Sequence, residues 1–254
     1  MAAVEITLLP MLDDNYAYFL VDPATGTTGV VDPAEAAPVL AHLGGRRLDW
    51  ILLTHHHADH IAGVPELKEL TGARVAGPRS ERQRIGSMDL ELGEGDGFSF
   101  GEQPVAVLET PGHTRGHISF WFRTGDAVFC GDTLFALGCG RLFEGDAATM
   151  WRSLGKLAAL PDATRVYCGH EYTLSNARFA LGIDPGNEAL RRRAEDIERL
   201  RAAGQPTIPS TIGVEKATNP FLRPADPAIR KQLGLEQASD AEVFGEIRRR
   251  KDRG

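Results

Sequence analysis

The first two-thirds of the chain consist of short apolar runs that end at turn residues or at polar side chains. Runs such as "NYAYFLVD", "LDWILLTH", "HISFWF" and "AVFCGD" have the length and the β-branched and aromatic content of strands. Helical patterns separate some of these runs, for example at 34–43 and 60–70. Because strands and helices are mixed along this stretch, the pattern predicts a layered α/β architecture rather than a helical bundle.

The pattern changes after residue 172. The segment "NEALRRRAEDIERLRAAG" has helical periodicity, and Gly204 stands where such a helix would stop. A stretch rich in Pro and Thr follows, and the last predicted helix begins at Ser239 with Glu242 three residues later, which is a capping-box pattern. We therefore predict two domains, an α/β domain over residues 1–173 and a smaller α-helical domain over residues 174–254.

Composition and charge narrow the classes of partner. The chain has 254 residues, of which 42% are hydrophobic and 25% charged, as in ordinary globular proteins. Its formal net charge of −7 argues against a nucleic-acid binder, which would be basic. The N-terminal sequence lacks a signal-peptide pattern, and no apolar stretch has the length of a membrane span. Cys130, Cys139 and Cys168 are an odd number at wide spacing, so we expect no disulfide framework, and we expect a cytoplasmic monomer without nucleic-acid or membrane partners.

The segment "THHHADH" at 54–60 holds four of the eight histidines of the chain, directly after the apolar run "WILL". A solvated loop would use Lys, Glu or Ser, and a tag remnant would lie at a terminus, so we interpret the segment as a metal site. Three further candidate ligands, His113, Asp132 and His170, each follow an apolar strand and a glycine. Because α/β folds usually build their sites in loops at strand ends, we expect all these side chains at one rim of a sheet.

The number of donors indicates two ions, because one tetrahedral ion uses only three or four protein ligands. His55 and His57 are two residues apart and point the same way in extended backbone, whereas the neighbours Asp59 and His60 point apart. A bridging carboxylate would divide the donors evenly between two ions. We predict one ion bound by His55, His57, His113 and Asp132 and a second ion bound by Asp59, His60, Asp132 and His170. Zinc is the first expectation, and iron or manganese also accept these donors.

Two other histidines are not expected to bind metal. His56 lies between two proposed ligands and should face away from them. His117, in "GHTRGH", is expected to be a hydrogen-bonding partner of a ligand rather than a ligand itself.

The order H-x-H-x-D-H followed by His, Asp and His resembles the metallo-β-lactamase superfamily over residues 1 to about 173. The resemblance implies an αββα four-layer sandwich, a fold that hosts several activities and does not settle the function. The segments "THHHADHIAG", "TPGHTRGH", "GDTLFALGCGRLFEG", "GHEYT", "KATNPFLR" and "RRRKD" are similar to the glyoxalase II family of hydroxyacylglutathione hydrolases. This second resemblance covers nearly the whole chain, including its helical C-terminal part.

The family resemblance implies the same seven metal ligands, with Asp59 and Asp132 as catalytic residues. It implies a glutathione thioester as the small-molecule substrate. Animal members have Lys and Tyr at positions 141 and 143, so this chain keeps the cation and loses a hydroxyl there. The basic cluster "RRRKD" could instead be a solvated helix end that complements the helix dipole. The implied glutathione-binding residues are Arg141, Phe143, Tyr172, Arg248 and Lys251.

The implied activity is hydrolysis of S-(2-hydroxyacyl)glutathione thioesters, chiefly S-D-lactoylglutathione, to glutathione and D-lactate in methylglyoxal detoxification. A thiolate leaves without a dedicated protein acid, which agrees with the lack of an extra acidic residue beside the ligands. A persulfide dioxygenase with one iron, from the same superfamily, is the nearest alternative. A tRNA-processing nuclease is disfavoured by the net acidic charge, and a non-catalytic metal-binding scaffold would not explain the glutathione-matching positions.

Overall fold

A computed structural model describes residues 2–253 of the chain. The chain forms two compact units. The first unit runs up to Thr110 and includes Thr114–Gly131, and the second unit comprises Pro111–His113 and the chain from Asp132 onward. Within residues 2–253 no helix has the length and hydropathy needed to cross a membrane. The domain boundary near residue 173 stays a prediction.

The first unit contains two sets of paired strands. The predicted strands in "NYAYFLVD", "LDWILLTH", "HISFWF" and "AVFCGD" are confirmed as the second, fourth, ninth and tenth strands. The strands of this unit are β1 (Glu5–Met11), β2 (Asn15–Val21), β3 (Thr28–Val31), β4 (Trp50–Leu52), β5 (Arg74–Pro78), β6 (Leu90–Leu92), β7 (Gly97–Phe100), β8 (Gln103–Glu109), β9 (Ile118–Phe122) and β10 (Ala127–Gly131).

The first set is a mixed sheet in the order β1-β2-β3-β4-β5-β6. Strands β1, β2 and β3 pair antiparallel, and β3 to β6 pair parallel. Strands β7 to β10 follow one another as an antiparallel meander. Both the mixed sheet and the meander agree with the α/β class predicted from the sequence.

Aromatic side chains fill the space between the mixed sheet and the meander. The rings of Tyr18 on β2 and Phe129 on β10 lie 5.4 Å apart, and those of Trp50 on β4 and Phe98 on β7 lie 5.3 Å apart. Gly29 on β3 leaves room for the ring of Phe100, since a β-carbon there would lie 2.6 Å from that ring. This core fixes the strand ends from which the ligand-bearing loops extend.

Helices cover the other face of the mixed sheet. Val39, Leu43 and Leu67 pack there against Val30 and Ile51 of the central strands. These helices are α1 (Ala36–Leu43), α2 (Ala58–Ile61), α3 (Val64–Thr71) and α4 (Arg82–Ile85), with a 3₁₀ turn at Arg79–Glu81.

The helix predicted at 60–70 is divided in the structure, because α2 ends at Ile61 and α3 begins at Val64. Gly63 lies between them and packs against the turn at 33–36. A β-carbon at this position would lie 2.7 Å from the carbonyl carbon of Glu35. The sequence pattern could not show this close approach, because the turn lies about one helix and one strand earlier in the chain.

The second unit contains short strand pairs and most of the helices. Strands β11 and β12 form a hairpin, and β13 pairs antiparallel with β14. The elements are β11 (Leu134–Phe135), β12 (Gly138–Cys139), α5 (Ala147–Ala158), β13 (Arg165–Cys168), α6 (Thr173–Ile183), α7 (Glu188–Ala202), β14 (Ser210–Thr211), α8 (Ile212–Thr218), a 3₁₀ turn (Pro220–Leu222), α9 (Pro227–Leu233) and α10 (Asp240–Arg253).

The C-terminal helices follow the sequence signals closely. Helix α7 ends at Ala202, and Gly204 adopts a left-handed backbone with φ of +68°. At the start of α10 the predicted capping box is present: the Ser239 amide donates to Glu242 Oε2 at 2.8 Å, and the Glu242 amide donates to Ser239 Oγ at 3.4 Å. The predicted helical C-terminal part is confirmed.

The three cysteines are buried and form no disulfide. Burial raises the pKa of the Cys139 thiol to about 11 and that of the Cys168 thiol to about 12, despite the nearby Arg248 guanidinium beside Cys139 and backbone hydrogen bonds to Cys168.

Candidate metal centre

The loop after β4 carries two of the proposed ligands in the first unit. Strand β4 ends at Leu52 and helix α2 begins at Ala58. In the loop between them the backbone of His57 is extended (φ −62°, ψ 142°). The ring nitrogens His55 Nε2 and His57 Nδ1 lie 3.2 Å apart. Both rings therefore present nitrogen donors to the same small volume, as the spacing predicts.

The first turn of α2 carries the next two proposed ligands. His60 is buried, and its Nε2 lies 3.7 Å from Asp59 Oδ2. Asp59 in turn accepts a hydrogen bond from Asn15 Nδ2, at 3.1 Å from Oδ2. The donors of the first unit thus occur as two neighbouring pairs, one of histidines and one of a carboxylate with a histidine.

Asp32 is a further residue of the site, and the sequence pattern did not predict it. It lies at the end of β3, is buried, and has a left-handed backbone with φ of +50°. Its carboxylate accepts hydrogen bonds from the Thr54 amide at 2.8 Å and the Thr54 hydroxyl at 2.6 Å, and its Oδ2 lies 3.1 Å from His60 Nδ1. A carboxylate that accepts a hydrogen bond from Nδ1 fixes the orientation of the ring and directs Nε2 toward a metal ion. The only sequence signal was the dipeptide Asp-Pro after a strand, which usually marks a turn.

His56 and His117 surround the ligands without taking their place. His56 Nδ1 lies 2.9 Å from Glu81 Oε2, and His56 Nε2 lies 2.9 Å from an Arg84 guanidinium nitrogen. His117 is buried, with its ring stacked on that of His55 at 4.9 Å. His56 therefore points to the 3₁₀ turn and α4, as expected for the residue between two ligands.

The second unit brings together the other three proposed ligands. His113, Asp132 and His170 come after β8, β10 and β13 respectively, and all three are buried. A single carboxylate oxygen, Asp132 Oδ2, lies 3.3 Å from His113 Nε2 and 3.4 Å from His170 Nε2. This is the arrangement expected of a carboxylate shared between two ions.

Close backbone approaches hold this cluster. Gly140 has no room for a side chain, because a β-carbon there would lie 1.9 Å from the carbonyl oxygen of Asp132. The next residue, Arg141, places its carbonyl oxygen 3.0 Å from His113 Nδ1. A backbone carbonyl on Nδ1 selects the tautomer in which Nε2 carries a lone pair.

Two of the proposed glutathione-binding residues are aromatic rings beside the ligands. Tyr172 stacks on His170 with the ring centroids 4.6 Å apart and an interplanar angle of 4°. Phe143 meets His113 edge-on at 5.2 Å and is 62% exposed. An apolar ring this exposed offers a surface to a ligand, but it has no hydroxyl to donate.

Arg248 is more buried than a simple ligand-facing cation. It is 5% exposed; one guanidinium nitrogen donates to the Cys139 carbonyl at 2.8 Å, and the other lies 3.0 Å from Asp252 Oδ1. Its guanidinium carbon also lies 5.3 Å from the centre of the Phe221 ring. Arg248 therefore supports the β11–β12 hairpin, and its role in glutathione binding stays a prediction.

Lys251 is half-buried on the same helix. Its ammonium donates to the Ser175 carbonyl at 3.3 Å and lies 5.3 Å from the centre of the Phe179 ring. Burial, together with the nearby positive charges of Arg248 and Arg141, lowers the pKa of Lys251. These three cations share one region of the second unit, so an anion there would relieve their mutual repulsion.

The donors fit divalent metal ions. Imidazole and carboxylate groups supply the ligand atoms and no thiolate takes part, a set that suits zinc, iron and manganese. In the first unit, ligand atoms of Asp32, His55 and His60 lie within 4.8 Å of one another. Asp32 already contacts Thr54 and the far side of the His60 ring, so we assign it to orienting that ring.

Comparisons with known proteins cover nearly the whole chain. The metallo-beta-lactamase superfamily model matches residues 11–170, and the model of the hydroxyacylglutathione hydrolase C-terminus matches residues 171–254. A hydroxyacylglutathione hydrolase of Methylococcus capsulatus is 55% identical over 251 residues, which are 98% of this chain and 98% of that protein.

Solved structures agree on the fold. ETHE1 from Myxococcus xanthus matches with a TM-score of 0.68 and 27% identity, over 98% of this chain and 90% of that chain. TTHA1623, solved in a di-iron-bound form, matches with a TM-score of 0.60 and 26% identity, over 86% of this chain and 100% of that chain.

The predicted fold class is thus confirmed as the α/β metallo-β-lactamase fold with a C-terminal helical region. The 55% identity over almost the full length of a relative, together with the match to the C-terminal family model, is specific to one branch of this superfamily. The chain belongs to the hydroxyacylglutathione hydrolase family.

Proposed function

We propose that this protein hydrolyses S-(2-hydroxyacyl)glutathione thioesters, chiefly S-D-lactoylglutathione, to glutathione and D-lactate. The observation that carries the proposal is that the second unit holds both a cluster of proposed metal ligands and a group of cations. His113, Asp132 and His170 form the cluster. The backbone carbonyl of Arg141 contacts His113, and the Arg141 side chain carries a positive charge near that of Lys251. A hydrolytic centre and a recognition site for a carboxylate-bearing thiol peptide would then lie on the same unit. The name of the Methylococcus capsulatus relative supports the same substrate.

We further propose that two divalent ions complete the centre, with zinc as the first candidate and iron or manganese as alternatives. His55, His57, His113 and Asp132 would hold one ion, and Asp59, His60, Asp132 and His170 the other. The contacts of His55 with His57 and of Asp59 with His60 support this division, and TTHA1623 was solved in a di-iron-bound form. When bound, such ions lower the pKa of water and polarise a carbonyl oxygen.

The protein's own groups have separate tasks. Asp59 would orient the attacking water, and Asn15 holds the Asp59 carboxylate in place through its amide. The carboxylates of glutathione would meet Arg141 and Lys251, while the rings of Phe143 and Tyr172 would pack against the glutathione peptide. The departing thiolate is a weak base and needs no proton donor from the protein.

Location, assembly and domain boundary remain proposals. We propose a cytoplasmic monomer, and the three buried cysteines without a disulfide support a reducing compartment. We also keep the boundary between an α/β domain at 1–173 and a helical domain at 174–254, supported by the family models that meet at residues 170 and 171.

One experiment tests the activity directly. Purified protein is given S-D-lactoylglutathione, and the loss of the thioester absorbance is followed with and without a chelator. We expect metal-dependent turnover. In a parallel reaction, glutathione persulfide is supplied and oxygen uptake is recorded, which would show the persulfide dioxygenase alternative. Oxygen uptake without thioester hydrolysis would contradict the proposed function and favour the persulfide dioxygenase. If metal-loaded protein shows neither oxygen uptake nor thioester hydrolysis, a non-catalytic scaffold is favoured.

A further inference from the structure

The β11–β12 hairpin occupies the chain between the proposed bridging ligand Asp132 and the proposed glutathione residue Arg141. Its two strands have only two residues each, so they cannot hold this loop alone. We infer that side chains of the C-terminal helices fix the hairpin through its backbone. Asn176 and Asn219 are then positioning residues for the metal centre. The inference rests on the proposed metal centre and extends it to groups that touch no ligand.

Backbone groups along the whole hairpin are bonded to side chains from α6, α8, α10 and the segment after α8. Asn176 Nδ2 donates to the Ala136 carbonyl at 3.1 Å. Asn219 Nδ2 lies 3.2 Å from the Phe135 carbonyl and 3.0 Å from the Gly138 carbonyl. Ala136 lies in the turn, outside the pairing of the two strands, and a buried carbonyl without a partner would be costly.

A buried carboxylate completes this set. Glu215 is fully buried, and its Oε2 accepts from the Leu137 amide at 2.9 Å and from Asn219 Nδ2 at 3.0 Å. Its Oε1 accepts from Arg193 at 2.5 Å and from Ser210 Oγ at 2.5 Å. The negative charge is therefore paired, and Glu215 and Asn219 act together on the turn of the hairpin.

The turn itself is also packed from the side. Leu137 has a left-handed backbone with φ of +57°, which a residue with a branched side chain adopts at a cost. Its side chain is fully buried in a cluster with Ala177, Ala180, Leu190 and Ala194 of α6 and α7. The helices thus hold both the backbone and the side chain of one strained residue.

The two ends of the hairpin loop carry the metal centre. The Gly140 amide donates to the Thr133 carbonyl at 3.2 Å, which closes the loop beside Asp132. Gly140 lies against the Asp132 carbonyl, and the Arg141 carbonyl contacts His113 Nδ1. A shift of the hairpin would therefore displace the donor atoms of Asp132 and His113, and the placement of these atoms sets metal affinity.

The test uses Asn176→Ala and Asn219→Ala, with Asn187→Ala as the matched control. Asn187 caps α7 and donates to the Ala217 carbonyl, so its loss weakens the same helical region without touching the hairpin. All proteins are loaded with zinc, and the rate of metal loss to a chelator is measured at a temperature where circular dichroism shows each to be folded. Exchange of the Leu137 amide hydrogen is measured in parallel.

We expect metal loss to be about tenfold faster in the two hairpin variants and unchanged in Asn187→Ala, with faster exchange at Leu137 in the hairpin variants alone. The inference would be overturned if metal loss were accelerated equally in all three variants, or if it were not accelerated in any of them. Should Asn219→Ala fail to fold, Asn176→Ala decides the matter, since it removes a single hydrogen bond. Metal loss is measured without substrate, so this test can be interpreted even if the wild-type protein is inactive. Inactivity of the wild-type protein would contradict the proposed function but would not affect the test of the hairpin.

Discussion

At the scale of single residues, the Oδ2 atom of Asp132 lies within 3.4 Å of two imidazole nitrogens, His113 Nε2 and His170 Nε2. If both rings bind metal, Asp132 is the ligand whose removal affects both ions. We expect Asp132→Ala to retain less than one ion per chain and to lose activity by three orders of magnitude or more. Elemental analysis and thioester turnover check this. Asp184→Asn, at a buried carboxylate of the same unit away from the ligands, is the control. Full metal content in Asp132→Ala would refute the bridging role.

His56 tests the register of the ligand loop. His56→Ala removes no ligand but leaves Glu81, which also accepts from the Gly116 amide at 3.1 Å, without its imidazole partner. We expect most of the activity to remain and the free energy of unfolding to fall by about 1–3 kcal/mol, measured by denaturant titration. His55→Ala should show the opposite pattern, with lost activity. Equal losses of activity in the two variants would mean that the loop is in another register.

The predictability of the site differs between these residues for a physical reason. The ligands of one segment could be predicted, because they are close together in the sequence and ordinary loops are not so rich in histidine. These ligands are His55, His57, Asp59 and His60. Asp32 acts on His60 across 28 positions, and Asn15 acts on Asp59 across 44. Only the pairing of the strands brings these partners together, so single-residue patterns contain no sign of them.

At the scale of elements, Asp22 joins the mixed sheet to the meander. It follows β2 and accepts hydrogen bonds from Thr25 Oγ1 at 2.7 Å, Gln103 Nε2 at 2.8 Å and the Glu102 amide at 2.9 Å. Burial alone would raise its pKa, but the hydrogen bonds from Glu102, Thr25 and Gln103 outweigh burial and lower the pKa to about 2 from the usual 3.8. The carboxylate therefore stabilises the fold above about pH 4, and this contribution is lost as the pH falls through about 2.

Asp22→Asn removes the charge and keeps the shape. We expect the free energy of unfolding at pH 7 to fall by roughly 2 kcal/mol and the difference from wild type to shrink as the pH is lowered from about 4 toward 2. Urea titrations at several pH values measure it. Asp13→Asn, on an exposed turn, should have little effect. A difference that does not change with pH would show that lost packing, rather than charge, is responsible.

Helix α10 tests glutathione recognition. Arg248 and Lys251 are three residues apart and share a face of the helix. The Arg248 guanidinium donates a hydrogen bond to the Cys139 carbonyl, whereas Lys251 lies nearer solvent. We expect Lys251→Ala to raise KM for S-D-lactoylglutathione about five- to thirtyfold with little change in kcat, because it would touch a part of the substrate remote from the reaction.

Two comparisons complete this measurement on α10. Arg253→Ala changes an exposed cation at the same helix end and should leave KM unaltered. A thioester that lacks the glutathione peptide should react equally well with wild type and with Lys251→Ala. If KM for the glutathione thioester stays at its wild-type value in Lys251→Ala, the basic cluster is a solvated helix end.

The elements themselves were predictable where hydrophobic periodicity extends over several residues. Strands such as β2 and β9 and helices such as α7 have this length, and the capping box located the start of α10. Strands β11, β12 and β14 have two residues each, too few for any period, and they exist because of their partners. The division between α2 and α3 likewise depends on a tertiary contact of Gly63.

At the scale of the whole molecule, bound ions should contribute to stability as well as to catalysis. Histidine and carboxylate donors held close together repel or desolvate one another without a cation, and any ligand that binds only the folded state raises its stability. We expect purified protein to contain close to two ions per chain. Chelation should abolish activity and lower the melting temperature, and added zinc should restore both. Fully active protein with one stable ion per chain would contradict the binuclear centre.

The buried cysteines have a consequence for the chemical surroundings of the enzyme. A protein that releases glutathione works amid thiols and their oxidised dimers, and mixed disulfides form by attack of an exposed thiolate. Cys130, Cys139 and Cys168 are shielded, and for Cys139 and Cys168 the raised pKa keeps the sulfur protonated at neutral pH. Oxidative stress, which increases oxidised glutathione, would thus leave the cysteine thiols of this chain free of mixed disulfides while the protein is folded.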